Sequence, residues 1–233
     1  MNTALRPALA AAMLLALFAL PASAAVDKLS NDKEKASYMV GMDMAQGLQP
    51  IKDEIDIAIV IQALETSFKG GKALLSAEEA QAVKQEFMRR LQAEQATKTK
   101  ASAEKNKAEG DKFMAENKKK AGVKVTPSGL QYTVLKQGTG KKPTANDQVK
   151  VHYLGTLIDG TKFDSSYDRG QPAQFPLNGV IKGWTEALQL MTVGSKYKLF
   201  IPSNLAYGDK GTPGPIGPNA TLIFEVELME ILN

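Results

Sequence analysis

The 233 residues are 43% hydrophobic and 23% charged, the balance of an ordinary folded chain with one or two domains, which excludes a polypeptide disordered throughout. The formal net charge of +4 is spread along the chain rather than gathered into one patch, which speaks against nucleic-acid binding. With no cysteine there can be no disulfide and no lipid on an N-terminal cysteine.

The first segment stands apart. Arg6 gives a short basic start, 8–20 is an apolar run, and Pro21-Ala22-Ser23-Ala24 ends in an A-x-A pattern, the form of a secretory signal peptide over 1–24 with cleavage after Ala24. The apolar run is shorter than the ~20 residues that span a bilayer, and no later segment could span one. Removing Arg6 leaves 28 basic against 25 acidic side chains, a net charge of +3. The mature chain is therefore expected to be exported and soluble.

Residues 25–75 read as a helical domain. Asn31 followed by Glu34 forms a capping pair, Tyr38, Met39, Met42, Ala45 and Leu48 recur at helical spacing, and Pro50 ends the run. Asp56 caps a second segment, IAIVIQALETSF, stopped by Gly70-Gly71. Its β-branched Ile57, Ile59, Val60 and Ile61 also permit a strand, but the apolar set continues through Ala63, Leu64 and Phe68 and favours a helix. Two helices of this size cannot bury both faces alone, which points to a partner subunit.

Residues 76–121 read as one long helix. Ser76 and Glu79 form a capping box, and no proline occurs before Pro127. Val83, Phe87 and Leu91 make a short apolar stripe. Between Gln92 and Lys112 the only apolar side chains are alanines, so this part is expected to cross solvent, supported by propensity and opposite-charge pairs, with Gly110 its weakest point. A helix to about Lys120 would hold its ends roughly 65 Å apart; a disordered linker is the alternative.

Residues 122–233 change to short alternating runs broken by Gly, Pro, Asn and Asp. Tyr197, Leu199 and Ile201 share a face, as do Leu222, Phe224, Val226 and Leu228, while Glu225 and Glu227 take the other side. GLQYTVL, QVKVHYLG and AQFPL supply further strands. WTEALQLM is a helix of about two turns with Trp184, Leu188 and Met191 on one side. The fold class is α+β, a curved antiparallel sheet around one short helix.

Large rings concentrate in this part, although aromatic residues make up only 6% of the chain. The only tryptophan lies here, and Tyr207 beside Gly208 has the setting of a loop aromatic that meets a partner. His152, the only histidine, alternates away from Tyr153 and reads as structural. Carboxylates alone would have to make a metal site and no suitable cluster is visible, so no metal or cofactor is expected. Gly138-Thr139-Gly140-Lys141 lacks the first glycine and the final Ser/Thr of a phosphate loop.

The successive segments VHYLGTLIDGTKFDSS, VIKGW, LAYG and GPIGPNATLIFEVEL resemble, in order, the signatures of the FKBP family of peptidyl-prolyl cis/trans isomerases, over 128–232. The upstream half resembles the exported Mip-type and FkpA-type branch, whose members are homodimers joined through their N-terminal helices. The resemblance implies a proline pocket lined by Tyr153, Phe163, Asp164, Phe175, Val180, Ile181, Trp184, Tyr207, Ile216 and Phe224. Trp184 would be its floor, the Ile181 N–H and Tyr207 hydroxyl would hold the substrate, and Arg169 would pair with Asp164 and Tyr153. Asp164, Tyr207, Ile181 and Trp184 are the residues expected to act in catalysis. Ala173, where single-domain members carry an aromatic, and Thr212 with Pro215, in place of a bulkier flap, alter affinity and sequence preference.

The residue types suit that chemistry on physical grounds. Rotation about an amide has a barrier of ~18–20 kcal/mol because nitrogen shares its lone pair with the carbonyl, and a twisted amide is less polar than a planar one. An apolar pocket therefore favours the transition state, and about 8 kcal/mol of such stabilisation gives a millionfold rate. The expected partners are proline-containing unfolded or folding polypeptides, with macrolide FKBP ligands as inhibitors. The expected compartment is the periplasm, with the outer membrane or cell surface as alternatives. A second function, a holdase chaperone whose helical dimer cleft is the main site, stays open from the sequence.

Overall fold

The computed structural model describes residues 27–232, so the expected signal peptide lies outside the described residues. The chain divides at Ser76 into two compact units.

The first unit is helical. α1 (Asp32–Leu48) begins where Asn31 Oδ1 accepts the Glu34 N–H at 2.9 Å, and Asp32 and Glu34 place negative charge on the positive end of the helix dipole. Glu34 reaches back to the Ser30 N–H at 2.6 Å. Pro50 then turns the chain into a 3₁₀ segment, Gln49–Glu54. α2 (Ile57–Phe68) starts at Asp56, whose carboxylate accepts the Ala58 N–H at 2.8 Å. This cap settles the helix-or-strand ambiguity of IAIVIQALETSF, because it satisfies an N-terminal donor that a strand would not present. Neither helix buries a single residue. Met39, Met42, Ile59 and Ile61 are each more than half exposed, and Phe68 is 91% exposed.

The second unit opens with α3 (Ala77–Asn117), 41 residues rising about 60 Å. Glu86–Arg89, Glu94–Lys98 and Lys107–Asp111 pair along its exposed surface. The helix ends three residues short of Lys120, and its last third does not cross solvent as the polar sequence suggested. Gly110 is buried there: a Cβ at this position would come within 2.5 Å of Thr221 Oγ1. Asn117, 1% exposed, donates to Gln131 Oε1 at 2.9 Å, while Gln131 Nε2 donates to the Met114 carbonyl at 2.8 Å. Phe113 meets Phe200 with ring centroids 5.9 Å apart. Docking thus uses a glycine, amides and one ring in place of an apolar stripe.

β1 (Lys124–Val125), β2 (Gln131–Lys136), β3 (Gln148–Leu157), β4 (Lys162–Ser165), β5 (Ala173–Pro176), β6 (Lys196–Ile201) and β7 (Leu222–Leu232) form one antiparallel sheet. Their order is β1-β2-β6-β7-β3-β4, with β5 also on β3. Its inner face follows the period-two pattern: Val149, Val151 and Tyr153 on β3, Tyr197, Leu199 and Ile201 on β6, and Leu222, Phe224, Val226 and Leu228 on β7 are all buried. α4 (Lys182–Leu190) covers that face, burying Trp184, Ala187 and Leu188. Each fully buried leucine of this layer contributes about 1.5–3 kcal/mol by leaving water. Glu225 stays on the outer face, within reach of Lys196 and Lys198 at 3.3 and 3.4 Å. The fold is α+β, as the alternation implied. Among the described residues no helix is long and apolar enough to cross a membrane.

Candidate functional site

A cavity of about 500 Å³ opens between the inner face of the sheet, α4 and the loop 207–216. Tyr153 comes to it from β3, Phe163 and Asp164 from β4, Phe175 from β5, and Phe224 from β7. Val180 and Ile181 lie on the turn into α4, Trp184 in its first turn, and Tyr207 and Ile216 on the loop. Residues far apart in sequence converge because β3 pairs with three strands at once, so its neighbours on both sides point into one concavity.

Trp184 is the centre of the arrangement. Tyr153, Phe175 and Phe224 all meet its indole edge to face, with centroids 5.2, 5.7 and 5.2 Å away and interplanar angles of 86°, 90° and 79°. Edge-to-face contacts of this kind fix ring orientation as well as burying area. Phe163 stands against Phe224 in the same way, at 5.4 Å and 83°. Gly155 makes that pair possible: a Cβ there would fall 2.5 Å from Phe163 and 2.8 Å from Phe224. The indole N–H of Trp184 is buried and has no hydrogen-bond partner among the described residues.

One edge of the cavity is charged. The Tyr153 hydroxyl donates to Asp164 Oδ2 and accepts from Arg169 Nη2 at 2.7 Å, while Arg169 Nη1 donates to Asp164 Oδ1 at 2.5 Å. Burial alone would push the Asp164 carboxyl up, but the hydrogen bonds from Tyr153 and Arg169 and the guanidinium charge outweigh it, holding its pKa below the ordinary value. Burial, and then the hydrogen bond to Asp164, push the Tyr153 phenol up. At neutral pH this edge is one carboxylate, one guanidinium and a neutral phenol.

On the opposite rim, Ile181 stands at the start of α4 with its carbonyl accepting from the Trp184 and Thr185 N–H groups at 2.9 and 3.1 Å. Its own N–H is not among the hydrogen bonds that hold this turn. Tyr207 is 42% exposed, and its hydroxyl makes no hydrogen bond among the described residues. The loop closes on itself through Thr212 N–H to the Ile216 carbonyl at 2.8 Å, and it is tied down where the Asn219 N–H donates to the Gly208 carbonyl, also at 2.8 Å.

Of the eleven residues singled out in the sequence, ten line this cavity. The exception is Arg169, which reaches Asp164 and Tyr153 from outside the lining. Gly179 and Pro213 also line it and had not been foreseen, nor had Gly155 as the residue that admits the Phe163–Phe224 contact. Gly155 could have been found: it is an inward-facing glycine two positions after Tyr153, and a glycine inside a strand signals close approach. His152 faces away from the cavity side of β3, with Nδ1 2.9 Å from Ser166 Oγ and its ring stacked on Tyr167 at 4.6 Å.

Comparison with known proteins places these features in a family. Residues 139–229 match the family model described as FKBP-type peptidyl-prolyl cis-trans isomerase, and 33–134 match the domain amino terminal to it. The chain is 42% identical to the Outer membrane protein MIP of Legionella longbeachae, over 95% of each chain. It is 46% identical to a probable FKBP-type peptidyl-prolyl cis-trans isomerase FkpA of Neisseria meningitidis serogroup B, over 85% of this chain and 74% of that one. The crystal structure of FkpA from Escherichia coli superposes with a TM-score of 0.66 at 38% identity, covering 88% of this chain and 98% of that one.

Proposed function

Because the chain belongs to the FKBP-type peptidyl-prolyl cis-trans isomerases, we propose that the aromatic cavity is where it binds and rotates Xaa-Pro bonds, each residue acting as follows. Trp184 is the floor on which the prolyl ring rests, and Phe163, Phe175, Val180, Ile216 and Phe224 strip water from the amide. Loss of water from the carbonyl oxygen weakens the charge-separated resonance form and so lowers the barrier to rotation. The Ile181 N–H and the Tyr207 hydroxyl are rim donors that hold substrate carbonyl oxygens on the side of the bond that stays still, so that one half of the substrate is fixed while the other turns. Asp164, Arg169 and Tyr153 act through their fixed charges and by holding the cavity edge. Amide rotation makes and breaks no σ bond and moves no proton, so a carboxylate locked in an ion pair suits it better than a free acid or base would.

The observation that carries this reading is the indole box, a floor of aromatic rings around Trp184 with Tyr207 and the Ile181 turn at the cavity's rim. Tyr207→Ala and Asp164→Ala should each slow isomerisation of a short Xaa-Pro peptide at least tenfold, the effect of losing about 1.4 kcal/mol of transition-state stabilisation. Unchanged turnover in both would sink the assignment. A macrolide FKBP ligand should raise the melting temperature of the protein and compete with the peptide.

The first unit supports a second activity beside the isomerase. Its exposed methionines and isoleucines suit a homodimer through α1 and α2 and adaptable contacts with unfolded chains. Light scattering on the mature protein should give twice the chain mass. Deleting 25–75 should return it to the single-chain mass with peptide turnover kept, and loss of aggregation suppression in that variant would place the chaperone activity in the first unit. Export to the cell envelope fits the leader-like 1–24. N-terminal sequencing of the secreted or periplasmic protein, starting at Ala25, would establish it.

A further inference from the structure

The long helix is the largest element for which the proposed catalysis has no use. Gln95, Thr99, Ser102 and Asn106 follow one another at steps of four, three and four residues, so they share one face of α3. That face lines a groove of about 390 Å³ whose opposite wall is the 157–159 turn after β3 and the 215–221 segment. Pro215 lines both this groove and the aromatic cavity, so the two depressions meet at one residue of the closing loop. The groove is firmly built: Asn106 Nδ2 donates to the Pro218 carbonyl at 2.8 Å, and Asn219 Nδ2 donates to the Ala103 carbonyl at 3.4 Å.

We propose that this groove is an extended binding site for the polypeptide client, so that chain flanking the proline in the cavity passes over Pro215 and lies along the Gln95–Asn106 face of α3. The proposal rests on the isomerase reading of the cavity and adds what selects the substrate. An extended chain presents N–H and C=O groups at every residue; Gln95 Nε2 donates to Thr99 Oγ1 at 3.4 Å and Asn106 Nδ2 to Pro218, so this face offers the Gln95 and Asn106 side-chain oxygens as acceptors and the Thr99 and Ser102 hydroxyls as donors. They pair with backbone without reading side chains, which suits an enzyme acting on varied sequences. The charges at the rim, Lys98 and Lys105 against Glu109 and Asp159, are balanced, and Lys98 is already paired with Glu94 at 2.6 Å, so the groove is not built for one class of anion. From Gln95 to Asn106 the helix rises about 16 Å, enough for roughly five residues of extended chain at ~3.3 Å each. A tetrapeptide spans only about 13 Å at ~3.3 Å per residue, too short to fill the cavity and also run the length of this face, whereas a protein client is not so limited.

The test compares kcat/KM for an Xaa-Pro tetrapeptide with that for the same sequence extended by six uncharged residues on each side, using the full mature protein. The wild type should favour the long peptide about threefold or more, the worth of one or two net hydrogen bonds, and Ser102→Trp, which fills the groove from an exposed position, should bring the ratio close to one. The amide resonances of Thr99 and Ser102 should shift on titration with the long peptide and stay still with the short one. Equal kcat/KM for the two peptides in the wild type, or still resonances at Thr99 and Ser102 with the long peptide bound, would overturn the proposal. A wild type inactive on both peptides would instead remove the isomerase reading on which it stands.

Discussion

Both compact units carry many apolar side chains, yet one buries them and the other does not. In the second unit Leu222, Val226, Leu228 and Leu199 are fully buried between the sheet and α4; in the first, Met42, Ile59 and Phe68 stand 60%, 63% and 91% exposed. A curved sheet with a helix across it closes a core within one chain. Two helices of 17 and 12 residues cannot, because each has a whole apolar side and only the other to cover it. Apolar composition therefore says that a surface will be buried, and topology decides whether the same chain can do it.

Paired substitutions, one in each unit, test that contrast. The largest effect is expected from Leu222→Ala, which should cost about 2–5 kcal/mol in denaturant unfolding of the second unit because it leaves a cavity in a closed core. Phe68→Ala removes a larger side chain, yet it should leave that transition within about 0.5 kcal/mol while lowering the mass seen by light scattering. A large shift in the second unit's unfolding on Phe68→Ala would overturn the distinction. Gly110→Ala comes next. In an exposed helix this change stabilises by about 0.5–1 kcal/mol, but against Thr221 it should destabilise by a similar amount or more, read as a lower melting temperature.

The smallest effect concerns Asp164. Its folded pKa lies below the ordinary carboxylate value, so its contribution to stability is fully present above about pH 4 and is lost as the pH falls through the depressed folded value. Asp164→Asn should remove that part of the acid dependence. Stability curves of the two proteins should therefore converge as the solution is made strongly acidic and differ by a constant amount from pH 5 to 8.

The sheet was legible because its inner face alternates strictly. Tyr197-Leu199-Ile201 and Leu222-Phe224-Val226-Leu228 need only a period of two to be placed, and the cavity aromatics came with them once the family resemblance was weighed. The caps Asn31 and Asp56 were legible for a similar reason, being local side chain to backbone contacts. The docking of α3 was not. Gly110, Asn106 and Asn117 carry no apolar signal, and each reads as a surface residue or a weak point until its partner, Thr221, Pro218 or Gln131, is brought alongside by the fold. Arg169 bonds Asp164 and Tyr153 from outside the lining, a distinction that depends on side-chain reach and that spacing does not encode.

The chain's single tryptophan is also the cavity floor, and this makes the protein its own reporter. Excited selectively, its tryptophan fluorescence comes from one indole enclosed by three rings, so a prolyl ring or a macrolide settling on Trp184, as proposed above, should change that emission without any label. A chain confined to the groove beside α3 would leave that emission untouched. One cuvette can thus separate occupancy of the cavity from occupancy of the helix face.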